Sequence, residues 1–206
     1  GAANLDGDIN GSAAGTGVLD IDAATSVLDN VGATKSIASV DVASGITLTV
    51  NPTGSTTFAT SSGINLNDDG TDNGTNTILA FTQCAGETVT VNSAITTSLD
   101  SEGKITIDGT GAGLGAIIVG NTGTNSSVTF SGKLGTTTQT LASFTVFDNS
   151  TAILNGSTNT VAGNVTVDGN LRLGQGVLFT ADDIATGAAE GVLEFVVGTT
   201  TGGVDE

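Results

Sequence analysis

The sequence contains no histidine, tryptophan, tyrosine or methionine, one cysteine (Cys84) and one proline (Pro52). Without histidine, neither a Ser-His-Asp nor a Cys-His nucleophile relay can be assembled. A lone cysteine cannot close an internal disulfide, so this is not a disulfide-stapled secreted domain. Cys84 lies within an apolar run, which predicts a buried, inert thiol. Basic residues are nearly as scarce: Lys35, Lys104, Lys133 and Arg172 stand against 21 acidic residues, for a net charge of -17. Such a surface repels nucleic-acid phosphates and anionic lipid headgroups, which makes both poor candidates as partners. No apolar run approaches the roughly 18 residues that a membrane-spanning helix requires. The missing methionine predicts a chain that is proteolytically processed or is a piece of something longer, with any signal peptide already removed.

What is present is alternation. Between Ser127 and Gly174 apolar residues recur at every second position, as Val128/Phe130, Phe144/Val146, Val165/Val167 and Leu171/Leu173, with Thr, Ser, Asp or Arg between them. A period of two, punctuated by Gly and Asn, marks strands that bury one face and turn where left-handed backbone is cheap. Hydrophobic residues make up 37% of the chain and the mean hydropathy is +0.23, enough to build a core. Part of the pattern is repeated. Val31 to Val42 (VGATKSIASVDV) matches Leu134 to Val146 (LGTTTQTLASFTV), and both continue into a second alternating run that ends at Asn51 or Asn155. Self-similarity of this kind predicts stacked, roughly equivalent units. The expected fold is therefore an all-β, right-handed parallel β-helix or solenoid, with an antiparallel β-sandwich as the alternative.

Residues 1–206 read as a single elongated domain. Residues 1–17, small and polar with only Leu5 and Ile9 as apolar anchors, read as a terminal arm or strand. Pro52 follows the run at residues 45–50 directly, where it can end a strand without removing a central hydrogen bond. Residues 180–206 depart from the pattern and read as an atypical C-terminal capping segment: Ala181 to Glu190 as a short helix with an acidic first turn, Val192 to Val197 as an apolar last strand.

Two groups of segments, Gly17 to Asp22 with VGATKSIASVDVASGITLTVN and LASFTVFDNSTAILNG with GNVTVDGNLRLG, resemble the repeat-rich passenger regions of bacterial autotransporter surface proteins. The likeness is strongest to the outer-membrane surface antigens of rickettsiae and related alphaproteobacteria. It covers about 120 residues on a degenerate repeat. The resemblance implies a right-handed parallel β-helix at the outer cell surface, serving adhesion or a protective layer. No translocator barrel accompanies these residues, and the chain is far shorter than a whole passenger. It implies a fragment of one or a small secreted subunit built on the same repeat.

Candidate chemistry is sparse. Asn67 to Asn73 (NDDGTDN) places Asp68, Asp69 and Asp72 on a Gly-containing segment, which supplies the oxygen ligands that calcium prefers. The competing reading is a solvated acidic loop. Asp182, Asp183 and Glu190 form a weaker set of the same kind. The pairs Asp20/Asp22 and Asp100/Glu102 sit two residues apart in strand-like runs and can share an outward face, as glycan-hydrolysing carboxylates on a β-helix do. The chain lacks the aromatics and bases that such enzymes use on sugars. Gly109 to Gly115 superficially matches a dinucleotide fingerprint, but a β-branched run follows it where a helix is needed. The expectation is a non-enzymatic, extracellular structural or adhesive protein whose partners are other copies of itself or a surface glycan or protein. It self-assembles into a filament or surface layer by end-to-end strand addition. A glycan-binding or glycan-cleaving module is the alternative. If residues 67–76 hold calcium, a chelator should lower the melting temperature of the wild-type chain and leave a variant with Asp68, Asp69 and Asp72 all changed to Asn unaffected. Equal melting with and without chelator removes the site.

Overall fold

The computed structural model describes residues 3–67, 77–82, 88–97, 115–121, 126–135 and 140–196. Among them there is no helix, and every strand pair is parallel. The chain winds repeatedly past three faces. The first coil carries β1 (Ala3–Leu5), an isolated bridge at Ile9 and β2 (Val18–Ile21). In the second these become β3 (Thr25–Val27), a bridge at Val31 and β4 (Ile37–Val42). Then follow β5 (Thr47–Val50), β6 (Thr56–Phe58) and β7 (Thr60–Leu66), and after them β8 (Ile78–Phe81), β9 (Thr88–Val91) and β10 (Ile95–Thr97). The fifth coil has β11 (Ala116–Val119), β12 (Ser127–Phe130) and a bridge at Leu134. β13 (Ser143–Val146), β14 (Thr151–Leu154) and β15 (Thr158–Thr160) form the sixth, and β16 (Asn164–Val167), β17 (Asn170–Leu173) and β18 (Leu178–Thr180) the seventh. A partial last coil adds β19 (Asp183–Ala185) and β20 (Val192–Phe195).

The first face is an eight-stranded sheet ordered β1-β3-β5-β8-β11-β13-β16-β19, and the second a six-stranded sheet ordered β6-β9-β12-β14-β17-β20. The third comprises β2-β4-β7-β10 and β15-β18, linked through Leu134, which bridges both Ile95 and Asn159. This is a parallel β-helix, and the antiparallel sandwich is excluded: its strands would pair through hairpins, whereas here each strand pairs with its counterpart one coil away.

The alternation in sequence explains the packing. In β9 Val89 and Val91 are buried while Thr88 and Thr90 face outward, and β12, β14 and β17 repeat the scheme. Because the register is kept from coil to coil, inward residues form columns. On the second face Ile9, Val31, Phe58, Val91, Phe130, Leu154, Leu173 and Phe195 succeed one another. Between the faces, Phe130 meets Phe81 and Phe144 edge-on, with ring centroids 5.5 and 6.0 Å apart. Each fully buried Val, Leu, Ile or Phe contributes roughly 1.5–3 kcal/mol of transfer free energy.

Coil length varies chiefly at the corners, and once within a strand, where β7 gains a residue against β4 between Ile37 and Ser39. Ala3 lies opposite Thr25, a coil of 22 residues. Ile78 lies opposite Ala116, a coil of 38, and Asn164 opposite Asp183, a coil of 19. The two longest connections, from Leu66 to Ile78 and from Thr97 to Ala116, both leave the third face and return on the first, in consecutive coils.

One expectation is refined and one is corrected. The repeated segments are not equivalent parts of two coils: Val31 and β4 occupy the second and third faces, whereas Leu134 and β13 occupy the third and first. The copies are one face out of phase, so the repeating unit is a corner with its strand. The corner conformation is shared: Gly32 and Gly135 both have left-handed backbone (φ 71° and 64°), and their amides donate to the carbonyls of Ile9 and Ile95. The correction concerns Ala181 to Glu190, which contains β19 and bends where a short helix was expected. An isolated ten-residue helix is marginal in water, and the open edge of β16 offers Asp183–Ala185 a ladder of backbone hydrogen bonds instead.

Phe130→Ala should cost about 3–5 kcal/mol, because it removes a side chain with 0% exposure from a core closed on both sides. Urea unfolding should show a lower midpoint. Gly32→Ala should also destabilise, since a Cβ there would lie 2.0 Å from the Ala59 carbonyl oxygen as well as adopting positive φ.

Candidate functional site

The outward side chains and the two ends of the stack are the surfaces available for function. Asp68, Asp69 and Asp72 lie outside the described residues, as do Cys84 and the pair Asp100/Glu102. Among the described residues no three His, Cys, Asp or Glu side chains gather as metal ligands would. Asp182, Asp183 and Glu190 are exposed on the last coil. Gly115 leads directly into β11, so the glycine-rich segment opens a strand, without the helix N-terminus that a dinucleotide site needs.

Asp20 and Asp22 flank buried Ile21 and therefore both face outward. In register with Asp20 the third face carries Asp41, Asn65 and Thr96. The Asp41 carboxylate accepts hydrogen bonds from the Ser39 hydroxyl (2.9 Å) and the Asn65 side-chain amide, and the Asn65 side-chain oxygen accepts from the Thr96 hydroxyl (3.0 Å). Asp41 is thus bound into a polar ladder that ties three coils together. On the second face Thr57, Thr90 and Thr129 stack in one rank, beside a second rank of Thr88, Ser127 and Thr151. Hydroxyl-bearing, β-branched side chains suit such a pleated, half-exposed surface.

Two features escaped the sequence reading, and a third, the exposure of the apolar last strand, extends it. Asp168, in the two-residue corner between β16 and β17, accepts hydrogen bonds from the amides of Gly187 (2.7 Å) and Ala189 (3.0 Å) and so fixes the turn leading to β20. Arg172 pairs with Glu194 at 3.5 Å across adjacent strands, a half-exposed contact of modest value. The third feature is the apolar end. Leu171 and Leu173 are buried (0% and 5% exposed), but Leu193 and Phe195, next in the same columns, are 38% and 63% exposed. Leu178, Ile184 and Val192 are exposed with them. Val18 is the exposed apolar residue of the first coil, at 55%. It borders a groove of about 180 Å³ whose lining includes Ile9, Leu19 and Ile37.

Replacing Asp168 with Ala should release the final turn while leaving the stack intact. Hydrogen exchange at Gly187 and Ala189 should accelerate at least tenfold, with exchange in β12 and β14 unchanged.

No protein-family model, characterised protein or solved structure matches this chain, so no activity is carried over from a relative.

Proposed function

We propose that this chain is a non-enzymatic structural or adhesive protein of the bacterial cell surface, of the repeat-rich passenger type, that works outside the cell in many copies. The observation that carries the reading is the uninterrupted parallel stack. Eight passes through one sheet, at about 4.8 Å per strand, make a rigid rod roughly 35 Å long within the described residues. The outward residues are mostly Thr, Ser, Asn and Asp. This is the chemistry of a scaffold and contact surface. The net charge of -17 suits a solvated exterior, and the absence of histidine leaves no ordinary general base near neutral pH. Its partners in this reading are further copies and a surface glycan or protein.

A glycan-binding or glycan-cleaving module is the second reading, supported by the in-register carboxylates Asp20 and Asp41 on the third face. The hydrogen bonds that Asp41 accepts from Ser39 and Asn65 give it a structural role already, and the chain has no Trp or Tyr on which a sugar ring would stack.

An antibody against the purified chain should label intact, unpermeabilised cells of the source bacterium, and electron microscopy should show the label on surface strands or a layer. Label that appears only after lysis overturns the surface reading. Binding on a glycan array that is lost in Asp20→Asn would favour the glycan module instead.

A further inference from the structure

We propose that the outward side of the second face is an ice-binding surface, on which the hydroxyl-bearing side chains of Thr57, Thr90 and Thr129, beside those of Thr88, Ser127 and Thr151, order water in the arrangement of an ice lattice. This adds an activity to the surface-protein reading and does not depend on it.

Spacing is the first ground. β6, β9, β12 and β14 succeed one another at the interval of a parallel sheet, about 4.8 Å, and outward positions along each strand recur every two residues, roughly 6.6 Å. Thr57, Thr90 and Thr129 form one rank, and Thr88, Ser127 and Thr151 a second, at the points of a rectangular net. The prism face of hexagonal ice carries water oxygens on a rectangular repeat close to both distances. A water held at one point of the net therefore stands near the place that the lattice assigns to it relative to the next.

A net of this kind holds a lattice only if it is regular and stiff. No pair of these strands slips in register, whereas on the third face β7 gains a residue against β4. Beneath the net Phe58, Val91, Phe130 and Leu154 are exposed by 1% or less, a packed floor that fixes the strands above it. Threonine is β-branched and stiff at χ1. Its hydroxyl both donates and accepts, as a water molecule does, and little side-chain freedom remains to be lost when water orders against it.

Charge is the second ground. An ion orders water radially about itself and disturbs a tetrahedral lattice. The chain has 21 acidic residues, yet the outward positions of β6, β9, β12 and β14 carry none, and Ile153 alone lacks a hydroxyl there. The net ends where charge returns, at Arg172 and Glu194. Among the described residues the other faces do not repeat it. On the third, Asp20 and Asp41 occupy an outward rank, and on the first, Ala80 and Ile118 separate Thr49 from Thr145. A glycan would also meet hydroxyls on the second face, but the chain has no Trp or Tyr for a sugar ring to stack on.

The test grows ice in dilute buffer containing the full chain, either unaltered or carrying Thr90→Tyr within the net or Thr145→Tyr on the first face. Tyrosine suits an outward strand position, so both variants should keep the wild-type circular dichroism spectrum. In a nanolitre osmometer the wild type and Thr145→Tyr should hold crystals faceted and unchanged in size below the melting point, and both should be enriched in the ice fraction. Thr90→Tyr should lose both effects. If Thr90→Tyr acts as the wild type does, or if Thr145→Tyr loses the effects as well, the second face is not the surface and the proposal is overturned. Wild-type solution that freezes as buffer does overturns it too, and leaves the labelling of intact cells, which reads the surface-protein proposal, unaffected. Should a glycan array then bind the wild type and not Thr90→Tyr, the net serves a glycan in place of ice.

Discussion

One contact recurs through this molecule: a strand lying parallel and in register against its counterpart one coil earlier. It satisfies the backbone donors and acceptors that burial would otherwise strand. It also sets each inward side chain directly over another, so that a single pairing rule builds the hydrogen-bond ladder and the core together. Phe58, Val91, Phe130, Leu154 and Leu173 form a continuous wall because no strand in that sheet slips by one residue. A slip would turn a whole strand inside out. The rule governs strands and leaves corners free, which is why coils of 19 and 38 residues coexist in one stack.

The corners solve a second problem, the polar groups that a turn buries. Asn159 is fully buried between coils, its side-chain oxygen accepting from the Leu134 amide (3.2 Å) and its side-chain amide donating to the Gly156 carbonyl (3.0 Å). Thr77 donates to the Asn67 carbonyl and accepts from the Gly45 amide. Ser93 accepts from the Thr60 amide, and Ser126 donates to the Phe81 carbonyl. These side chains replace ladder partners where the backbone changes direction. They account for a core that is largely apolar along the faces and polar at the bends, with Asn159 of β15 a buried polar member of the third face. They also explain the displaced repeat: a corner with left-handed glycine and its following strand is a self-sufficient unit, usable at any of the three bends.

Much of the fold was legible because period two is a local property. Val89/Val91 and Leu171/Leu173 declare their inward positions within four residues, and Gly32 and Gly135 mark their bends in the same way. The identity of each face was not legible, since it depends on how many residues each corner consumes. The segment after Thr180 misled for a related reason. Ala181 to Glu190 has helix-compatible composition, and only the waiting edge of β16 and the grip of Asp168 on Gly187 and Ala189 make it extended. Those partners lie about twenty residues away in sequence. The candidate site was less legible still. The carboxylates that stood out by spacing, Asp20 and Asp22, do face outward together, but the polar ladder from Asp41 to Thr96 draws on residues from three coils that no local spacing connects.

The distribution of charge links architecture to assembly. Inward positions cannot carry carboxylates, so an acidic excess of 17 must reside on outward faces, corners and ends. Carboxylates along the sides make each rod repel its neighbours laterally, and there the contact offers only scattered half-exposed threonines in return. At the ends the same repulsion meets a different balance. Exposed Leu193, Phe195 and Ile184 have apolar surface to bury, and the backbone edges have hydrogen bonds to complete. In the multi-copy reading proposed above, that acidity would hold the flanks of neighbouring rods apart.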